Sequence, residues 1–209
     1  MERIDQHLFP TLVSIYRKFL NPEQLSLIYD FLIEEEKDAE MGYGEVITVT
    51  GKSSFTDRRT DILKKISNNI PECASLFEST NSIVKDYGRS SGTDDLEVTT
   101  SWFNIQPVGD ILKEHSHGHS VVSASLYVNV DENSSPISFR NPNPVIHSSY
   151  YSNERSRSPY LFDYYWIKPE AGDLILFPGW LWHGSNYEVN NTPNRMCIGL
   201  NGERVHECN

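Results

Sequence analysis

The sequence predicts a mainly β protein with N-terminal helices, arranged as a jelly roll. From residue 96 onwards, short β-branched and aromatic runs alternate with Gly, Pro, Asn and Asp, which is typical of many short strands joined by turns. Before that point, helix-start and helical apolar patterns are frequent. At 209 residues, the chain fits one β sandwich or barrel of the larger kind. We therefore expect an α/β support region over 1–95 that packs on a jelly-roll core over 96–209, within one structural domain.

The first 95 residues carry strand and helix signals in turn. Asn21 fits a helix N-cap, Pro22 fits the first helical position, and Gln24 completes a capping box. Apolar residues such as Leu25 and Ile28 then recur on one stripe with acids outside, which predicts an amphipathic surface helix. The elements expected in this part are a strand over 8–20, this helix, a strand over 45–50, helices over 57–70 and 72–87, and a loop over 88–95.

The remainder of the chain contains six runs that we interpret as strands. They read EVTTSWFNIQ, SVVSASLYVNV, ISFRN, YYWIKP, DLILFP and RMCIGLNG. Between the third and fourth runs, the Tyr-rich segment 141–168 is too long for a tight turn. We expect it to be either an extra hairpin packed on the sandwich or a lid over a functional site. The two alternatives overlap, because a hairpin packed at the mouth of the barrel can also control access of a substrate. Of Trp180 and Trp182, we expect one to be a core residue and the other a rim residue.

Composition argues against several classes of function. The formal net charge of −11, from 29 acidic and 18 basic residues, disfavours nucleic acid as a partner. No run approaches the roughly 18 apolar residues of a membrane span, and the N-terminal segment has no small-residue cleavage site. Cys73, Cys197 and Cys208 are odd in number and form no CxxC pair, which argues against a disulfide framework. We expect a cytoplasmic protein.

Three histidines are the candidate metal ligands. His115 and His117 are separated by one residue on a segment that alternates like a strand, so their side chains point the same way. His183, from a distant strand, would complete a metal face and leave open positions, as in a non-haem iron centre rather than a closed structural site. His119 lies on the same predicted strand face and is a competing ligand. Arg195 follows His183 by twelve positions.

Two fragments around these histidines match the halves of a cupin metal motif. The first is Gly109, five residues, His115, one residue and His117; the second is Gly172, five residues, Pro178 and then His183. They indicate a double-stranded β-helix, a cupin-like barrel whose turns present histidines at its mouth. The usual cupin glutamate is missing, because Val121 and Val122 stand at its expected positions. The fragments are thus compatible with a cupin-type three-histidine metalloenzyme, one that does not use the co-substrate 2-oxoglutarate. They are also compatible with a non-catalytic jelly-roll binding protein.

Residues 98–201 resemble the Fe(II)/2-oxoglutarate-dependent oxygenases, in particular small oxygenases of microbes and phages. The stretches that carry the resemblance read HSHGHSVVSASLYV, FPGWLWH and RMCIGLN. The resemblance implies Fe(II) held by His115, His117 and His183, and 2-oxoglutarate whose distal carboxylate pairs with Arg195. It also implies that O2 and 2-oxoglutarate are consumed to hydroxylate a small-molecule or peptidyl substrate, in the cytoplasm of a microbe or of a phage-infected cell.

The chain departs from this family pattern at four positions. His117 replaces the carboxylate of the usual triad of two histidines and one carboxylate, which makes the site less anionic. Ala124 stands for the usual Gly, Gly179 for Ser, and Cys197 for the residue two after the arginine. The last change removes a hydroxyl that could hold the co-substrate. Its candidate replacements are Tyr127, Asn104 and Trp102.

Overall fold

The computed structural model of the protein describes residues 10–38, 48–55, 61–93, 95–143 and 162–205. The helices are α1 (Pro22–Asp38), α2 (Ile62–Asn69) and α3 (Leu76–Ser91), and a 3-10 turn lies at Pro71–Cys73. The strands are β1 (Ser14–Tyr16), β2 (Lys52–Ser53), β3 (Leu96–Gln106), β4 (Val122–Asn129), β5 (Ile137–Arg140), β6 (Tyr164–Ile167), β7 (Leu174–Pro178), β8 (His183–Gly184) and β9 (Arg195–Arg204). None of the described helices is long and apolar enough to cross a membrane.

The strands form two antiparallel sheets. The larger sheet has the order β1-β7-β4-β9-β3-β2, and the smaller sheet has the order β6-β5-β8. Most neighbouring strands are distant in the sequence, so the chain passes back and forth between and within the sheets, as in a jelly roll. The prediction of a mainly β fold with N-terminal helices, a double-stranded β-helix, is therefore confirmed.

Strands β4 and β7 separate two hydrophobic cores. On β7, Leu176 belongs to the core beneath the helices, whereas Ile175 belongs to the core between the sheets. On β4, Leu126 and Tyr127 divide in the same way. Successive side chains of a strand point to opposite faces, so both faces of these strands are buried. This explains why the sequence of β7 is a continuous apolar run rather than an alternating one.

The helices cover the outer face of the larger sheet. Ile28 of α1, Leu63 of α2 and Val84 of α3 are fully buried in the same core as Leu126. Full burial of such an aliphatic side chain contributes about 1.5–3 kcal/mol. The helical layer therefore supports the sheet from outside and leaves its inner face to line a pocket.

Two predicted strands differ from the observed structure. Of the strand expected over 8–20, residues 10–20 are described, and they form a strand only at Ser14–Tyr16, because a turn follows it at once. Of the strand expected over 45–50, only the last three residues are described. Thr48 makes an isolated bridge to Leu112, and the two residues after it form a bend.

The helix predicted over 72–87 lies four residues later, at Leu76–Ser91. Pro71 begins a separate 3-10 turn, which delays the start of the helix. Gly92, at φ 74°, ends the helix in the left-handed conformation that glycine adopts without strain. Much of the loop expected over 88–95 is therefore helical. Of the helix predicted over 57–70, residues 57–60 lie outside the described residues, and the rest contains α2 with Asp61 as its N-cap.

The segment 141–168 is described only at its two ends. Strands β5 and β6 pair with each other, and Asn141 Nδ2 donates to the carbonyl oxygen of Phe162 at 2.8 Å. The ends of the segment thus lie side by side. Residues 144–161, on which the choice between an extra hairpin and a lid depends, lie outside the described residues.

Candidate metal centre

Three histidines meet between the two sheets. His115 and His183 form an antiparallel bridge, in which each backbone N–H donates to the other residue's carbonyl oxygen at 2.9 Å. The backbone N–H of His117 donates to the carbonyl oxygen of Gly179 at 2.7 Å. One nitrogen of each imidazole lies within 4.8 Å of the other two. The structure thus brings the three predicted ligands into one group.

Each imidazole is oriented by an oxygen that contacts its Nδ1 atom. The partners of Nδ1 are the carbonyl oxygen of Lys113 for His115 at 2.8 Å, that of Leu181 for His183 at 2.9 Å, and Asn201 Oδ1 for His117 at 2.6 Å. Carbonyl and amide oxygens only accept, so the proton of each neutral ring is on Nδ1. Each Nε2 atom therefore keeps a lone pair that a metal ion can accept.

The surroundings keep these rings neutral. Burial, and secondly the neighbouring His117, lower the pKa of His115 to about 4. Burial also lowers the pKa of His117, and it lowers that of His183 well below its ordinary value. Neutral imidazole is the form that binds a metal, so near neutral pH no proton has to be removed first.

The donor set fits a catalytic transition-metal ion. Imidazole nitrogen suits iron, zinc, copper and nickel, and three ligands on one face leave further coordination positions open. The three rings also pack closely, with centroid separations of 4.3 to 5.2 Å. The residues present therefore fit a bound metal ion that exchanges its remaining ligands.

A buried arginine lies in the same pocket as the histidines. Arg195, at the start of β9, is 2% exposed, and its guanidinium lies over the Tyr127 ring at 5.4 Å. No ion pair joins Arg195 to an acidic side chain within the described ranges, and its Nε has no hydrogen-bond partner there. A buried charge without a counter-charge is costly, so the pocket fits an anionic ligand.

The other predicted contact residues line this pocket as well. Trp102, Asn104 and Tyr127 lie on β3 and β4 and face the histidines and Arg195. Trp102 Nε1 and Asn104 Oδ1 are buried and have no hydrogen-bond partner in the described part of the chain. Burial raises the pKa of the Tyr127 hydroxyl, which therefore stays protonated. These groups offer donors and an acceptor to a polar ligand.

Some predicted residues lie elsewhere. His119 is exposed on the turn at 118–119 and is not part of the three-histidine group. Trp180 and Trp182 are 51% and 48% exposed, so the expectation that one of them is a core residue was wrong. Both belong to the turn between β7 and β8, where the chain leaves the larger sheet.

The glycine at position 179 has a structural reason in this chain. A Cβ atom built on Gly179 would lie 2.1 Å from the carbonyl oxygen of Ser120 and 3.0 Å from that of His117. The segment that carries His117 therefore packs directly on the backbone of Gly179. The serine typical of the resembled family would not fit here without movement of this segment.

Three residues that contact the predicted His117 and Arg195 were not identified from the sequence. Asn201 and Ser123 contact the Nδ1 atom of His117 at 2.6 and 2.9 Å, and Gln106 accepts a hydrogen bond from Arg195. Asn201 is the last residue of the stretch RMCIGLN, so a motif contains it but does not indicate that it contacts His117. No local pattern in the sequence marks the other two residues.

Comparison with known families supports an oxygenase. Residues 100–201, about half of the chain, match the family described as "Putative 2OG-Fe(II) oxygenase". This range includes all three histidines and Arg195. The match confirms the resemblance that the motifs indicated. No curated protein matches the chain in sequence.

Solved structures share the fold across most of the chain. A prolyl-4-hydroxylase from Pseudomonas putida is 16% identical with a TM-score of 0.53, over 93% of this chain and 94% of that one. HygX from Streptomyces hygroscopicus, with nickel and 2-oxoglutarate bound, is 10% identical with a TM-score of 0.55, over 93% and 84%. SnoN, an α-ketoglutarate-dependent epimerase of nogalamycin biosynthesis, is 10% identical with a TM-score of 0.62, over 92% and 76%. At these identities, the likeness shows the fold alone.

Proposed function

We propose that this chain, a member of the Fe(II)/2-oxoglutarate-dependent oxygenase superfamily, hydroxylates a small-molecule or peptidyl substrate with Fe(II), 2-oxoglutarate and O2. The observation that carries the proposal is that a three-histidine face and a buried arginine, which has no acidic partner among the described residues, share one pocket. A metal ion alone would need only the histidines. A ligand that binds both a metal ion and the guanidinium would explain why the histidines and the arginine lie in the same pocket.

The histidines would hold the metal through their Nε2 atoms. His115 and His183 are fixed to each other by the backbone bridge, and His117 is fixed by Gly179 and Asn201. Because all three are neutral, an Fe(II) ion would keep its full positive charge towards an anionic chelator. When bound, Fe(II) and 2-oxoglutarate supply oxidative decarboxylation to succinate, coupled to insertion of an oxygen atom into a C–H bond.

The far side of the pocket would bind and orient 2-oxoglutarate. The Arg195 guanidinium can pair with the distal carboxylate, a charge-assisted contact that is stronger where water is excluded. The Tyr127 hydroxyl and Trp102 Nε1 are nearby donors for its other oxygens, and Asn104 can donate through Nδ2, which lies 3.9 Å from Cys197 Sγ. The net charge of −11 disfavours nucleic acid as the substrate.

One observation favours a second candidate, a cupin-type metalloenzyme that does not use 2-oxoglutarate. The described group of metal-binding side chains holds three histidines and no carboxylate. Such a site suits chemistry in which the substrate itself binds the metal. Arg195 argues against this alternative, because it has no evident role there.

The test is an anaerobic titration of the metal-free protein with Fe(II) and 2-oxoglutarate, observed through the visible charge-transfer band of the chelate. We expect a band in the wild type, none in His183→Ala, and about 10- to 100-fold weaker 2-oxoglutarate binding in Arg195→Ala. His119→Ala is the matched control, since this histidine lies on the same segment but outside the group, and it should behave as the wild type.

The other outcomes separate the alternatives. Iron binding without the band would favour the cupin-type enzyme. No iron binding at all would leave a jelly-roll protein in which the histidines are structural. If the band is present, release of succinate under O2 would measure turnover and allow a substrate search.

A further inference from the structure

Arg195 is held by an amide rather than by a carboxylate. Its Nη1 donates to Gln106 Oε1, and the two residues lie directly opposite each other on β9 and β3. Gln106 is 1% exposed and lines the same pocket as the histidines. The guanidinium is therefore fixed in place by a neutral acceptor, within the largest sheet of the fold.

The orientation of this amide is set by a buried carboxylate. Gln106 Nε2 donates to Asp110 Oδ2 at 3.0 Å. The other carboxylate oxygen of Asp110 accepts from the backbone N–H groups of Val49 and Thr50 at 2.9 and 2.8 Å. Because a carboxylate only accepts and a guanidinium only donates, the amide has one satisfied orientation, with Nε2 towards Asp110 and Oε1 towards Arg195.

Asp110 is thereby kept from pairing directly with Arg195. A buried carboxylate in contact with the guanidinium would neutralise it and compete with any anionic ligand. The amide between them transmits the hydrogen bond but carries no charge. The Nε atom of Arg195, which is buried and unpartnered among the described residues, then remains available to a ligand.

We infer that Gln106 and Asp110 are positioning residues that orient Arg195 while leaving its charge to the distal carboxylate of 2-oxoglutarate. This inference rests on the proposed function. Gln106 thus sets the affinity of the pocket for a dicarboxylate 2-oxo acid. A glutamate at this position would supply the anion from within the protein.

The test compares Gln106→Glu and Gln106→Leu with the wild type. For each protein, Fe(II) affinity is measured without 2-oxoglutarate, and 2-oxoglutarate affinity is then measured through the charge-transfer band under anaerobic conditions. We expect Gln106→Glu to bind 2-oxoglutarate about 10- to 100-fold more weakly and Gln106→Leu about 10-fold more weakly, with Fe(II) affinity close to that of the wild type in both. Gln24→Glu makes the same charge change in the first turn of helix α1, outside the pocket, and should leave both affinities unchanged.

The outcomes are distinguishable. A band in the wild type with equal 2-oxoglutarate affinity in Gln106→Glu would overturn this inference and leave the proposed function intact. No band in the wild type would overturn the proposed function and the inference with it. Should Gln106→Glu fail to fold, Asp110→Asn provides the second variant. Its one remaining oxygen is needed by the backbone N–H groups of Val49 and Thr50, so an NH2 group faces Gln106 Nε2 in place of the acceptor. We expect severalfold weaker 2-oxoglutarate binding, and unchanged binding would contradict the role of Asp110.

Discussion

The two ends of the pocket are built by different means. At the metal end, His115 and His183 have backbone carbonyl oxygens as the partners of their Nδ1 atoms, and the three candidate ligands lie on short irregular segments and a two-residue strand. At the arginine end, Arg195 lies on a ten-residue strand and is held by the side chain of Gln106. A single side-chain replacement can remove a side-chain partner but not a backbone one. The arginine end is therefore open to tuning through Gln106, whereas two of the three histidines at the metal end depend on how closely their backbone segments approach.

Gly179→Ser is expected to have the largest effect, because it acts on that close approach. It restores the residue typical of the family but places a Cβ atom against the carbonyl oxygen of Ser120, 2.1 Å away. Backbone atoms cannot move aside cheaply, so the segment bearing His117 must shift. We expect a loss of about 1–3 kcal/mol in the free energy of unfolding and at least 10-fold weaker Fe(II) binding. Thermal melts and metal titrations measure the two.

The matched control is Ser120→Ala, which leaves the backbone contact unchanged. It should melt and bind Fe(II) as the wild type does. Unchanged Fe(II) affinity in Gly179→Ser would mean that the segment can adjust without disturbing the ligand. The conclusion that the metal end depends on the close approach of its backbone segments would then be wrong.

Replacement of Asn201 tests the one histidine whose partner is a side chain. Asn201→Leu removes the Oδ1 atom that lies 2.6 Å from His117 Nδ1, and we expect a loss of about 10- to 100-fold in Fe(II) affinity. Asn201→Asp replaces the amide with a stronger acceptor of similar shape, so it should preserve or raise the affinity. Competition with a chelator measures both variants. Equal losses in the two variants would show that Asn201 fills space rather than orienting the ring.

The sequence predicted the residues of the site that belong to local motifs. The two histidines separated by one residue, the turn before His183 and the arginine after it are all visible in short stretches. The choice between His117 and His119 required more, because the predicted strand is not observed there: His115 makes an isolated bridge, residues 116–117 are irregular, and 118–119 form a turn before β4 begins. Periodicity describes a strand only as far as the strand extends.

Other residues could not be found in this way, since their roles depend on distant partners. Gln106 contacts Arg195 across 89 positions, and Asn201 contacts His117 across 84. Strand register brings these pairs together, and it is set by the whole sheet rather than by a local pattern. The reason for Gly179 likewise appears only when the backbone of Ser120 is in place.

Gly199→Ala should disturb the middle of the pocket. Gly199 pairs with Trp102 across β9 and β3, and an added Cβ atom would lie 2.6 Å from Trp102 Cε2. The indole must tilt to make room, which we expect to cost about 1–3 kcal/mol in the free energy of unfolding. Thermal melting and the tryptophan fluorescence of the protein with and without 2-oxoglutarate measure the change. A wild-type melting temperature would show that the ring has space to move.

Ser123→Ala should have the smallest effect, and it refines the comparison between the two ends. Ser123 Oγ lies 2.9 Å from both His117 Nδ1 and Asn201 Oδ1, so it can donate to the amide that holds the imidazole. The neutral hydrogen bond it adds is worth about 0.5–1.5 kcal/mol, and Asn201 still holds the ring without it. We therefore expect about 2- to 10-fold weaker Fe(II) binding in Ser123→Ala, measured by chelator competition. In the background of Asn201→Leu, the same change should have no further effect, because the amide that Ser123 supports is gone. If the two losses instead multiply, Ser123 supports His117 independently, and the metal end has two separate side-chain partners for one ligand.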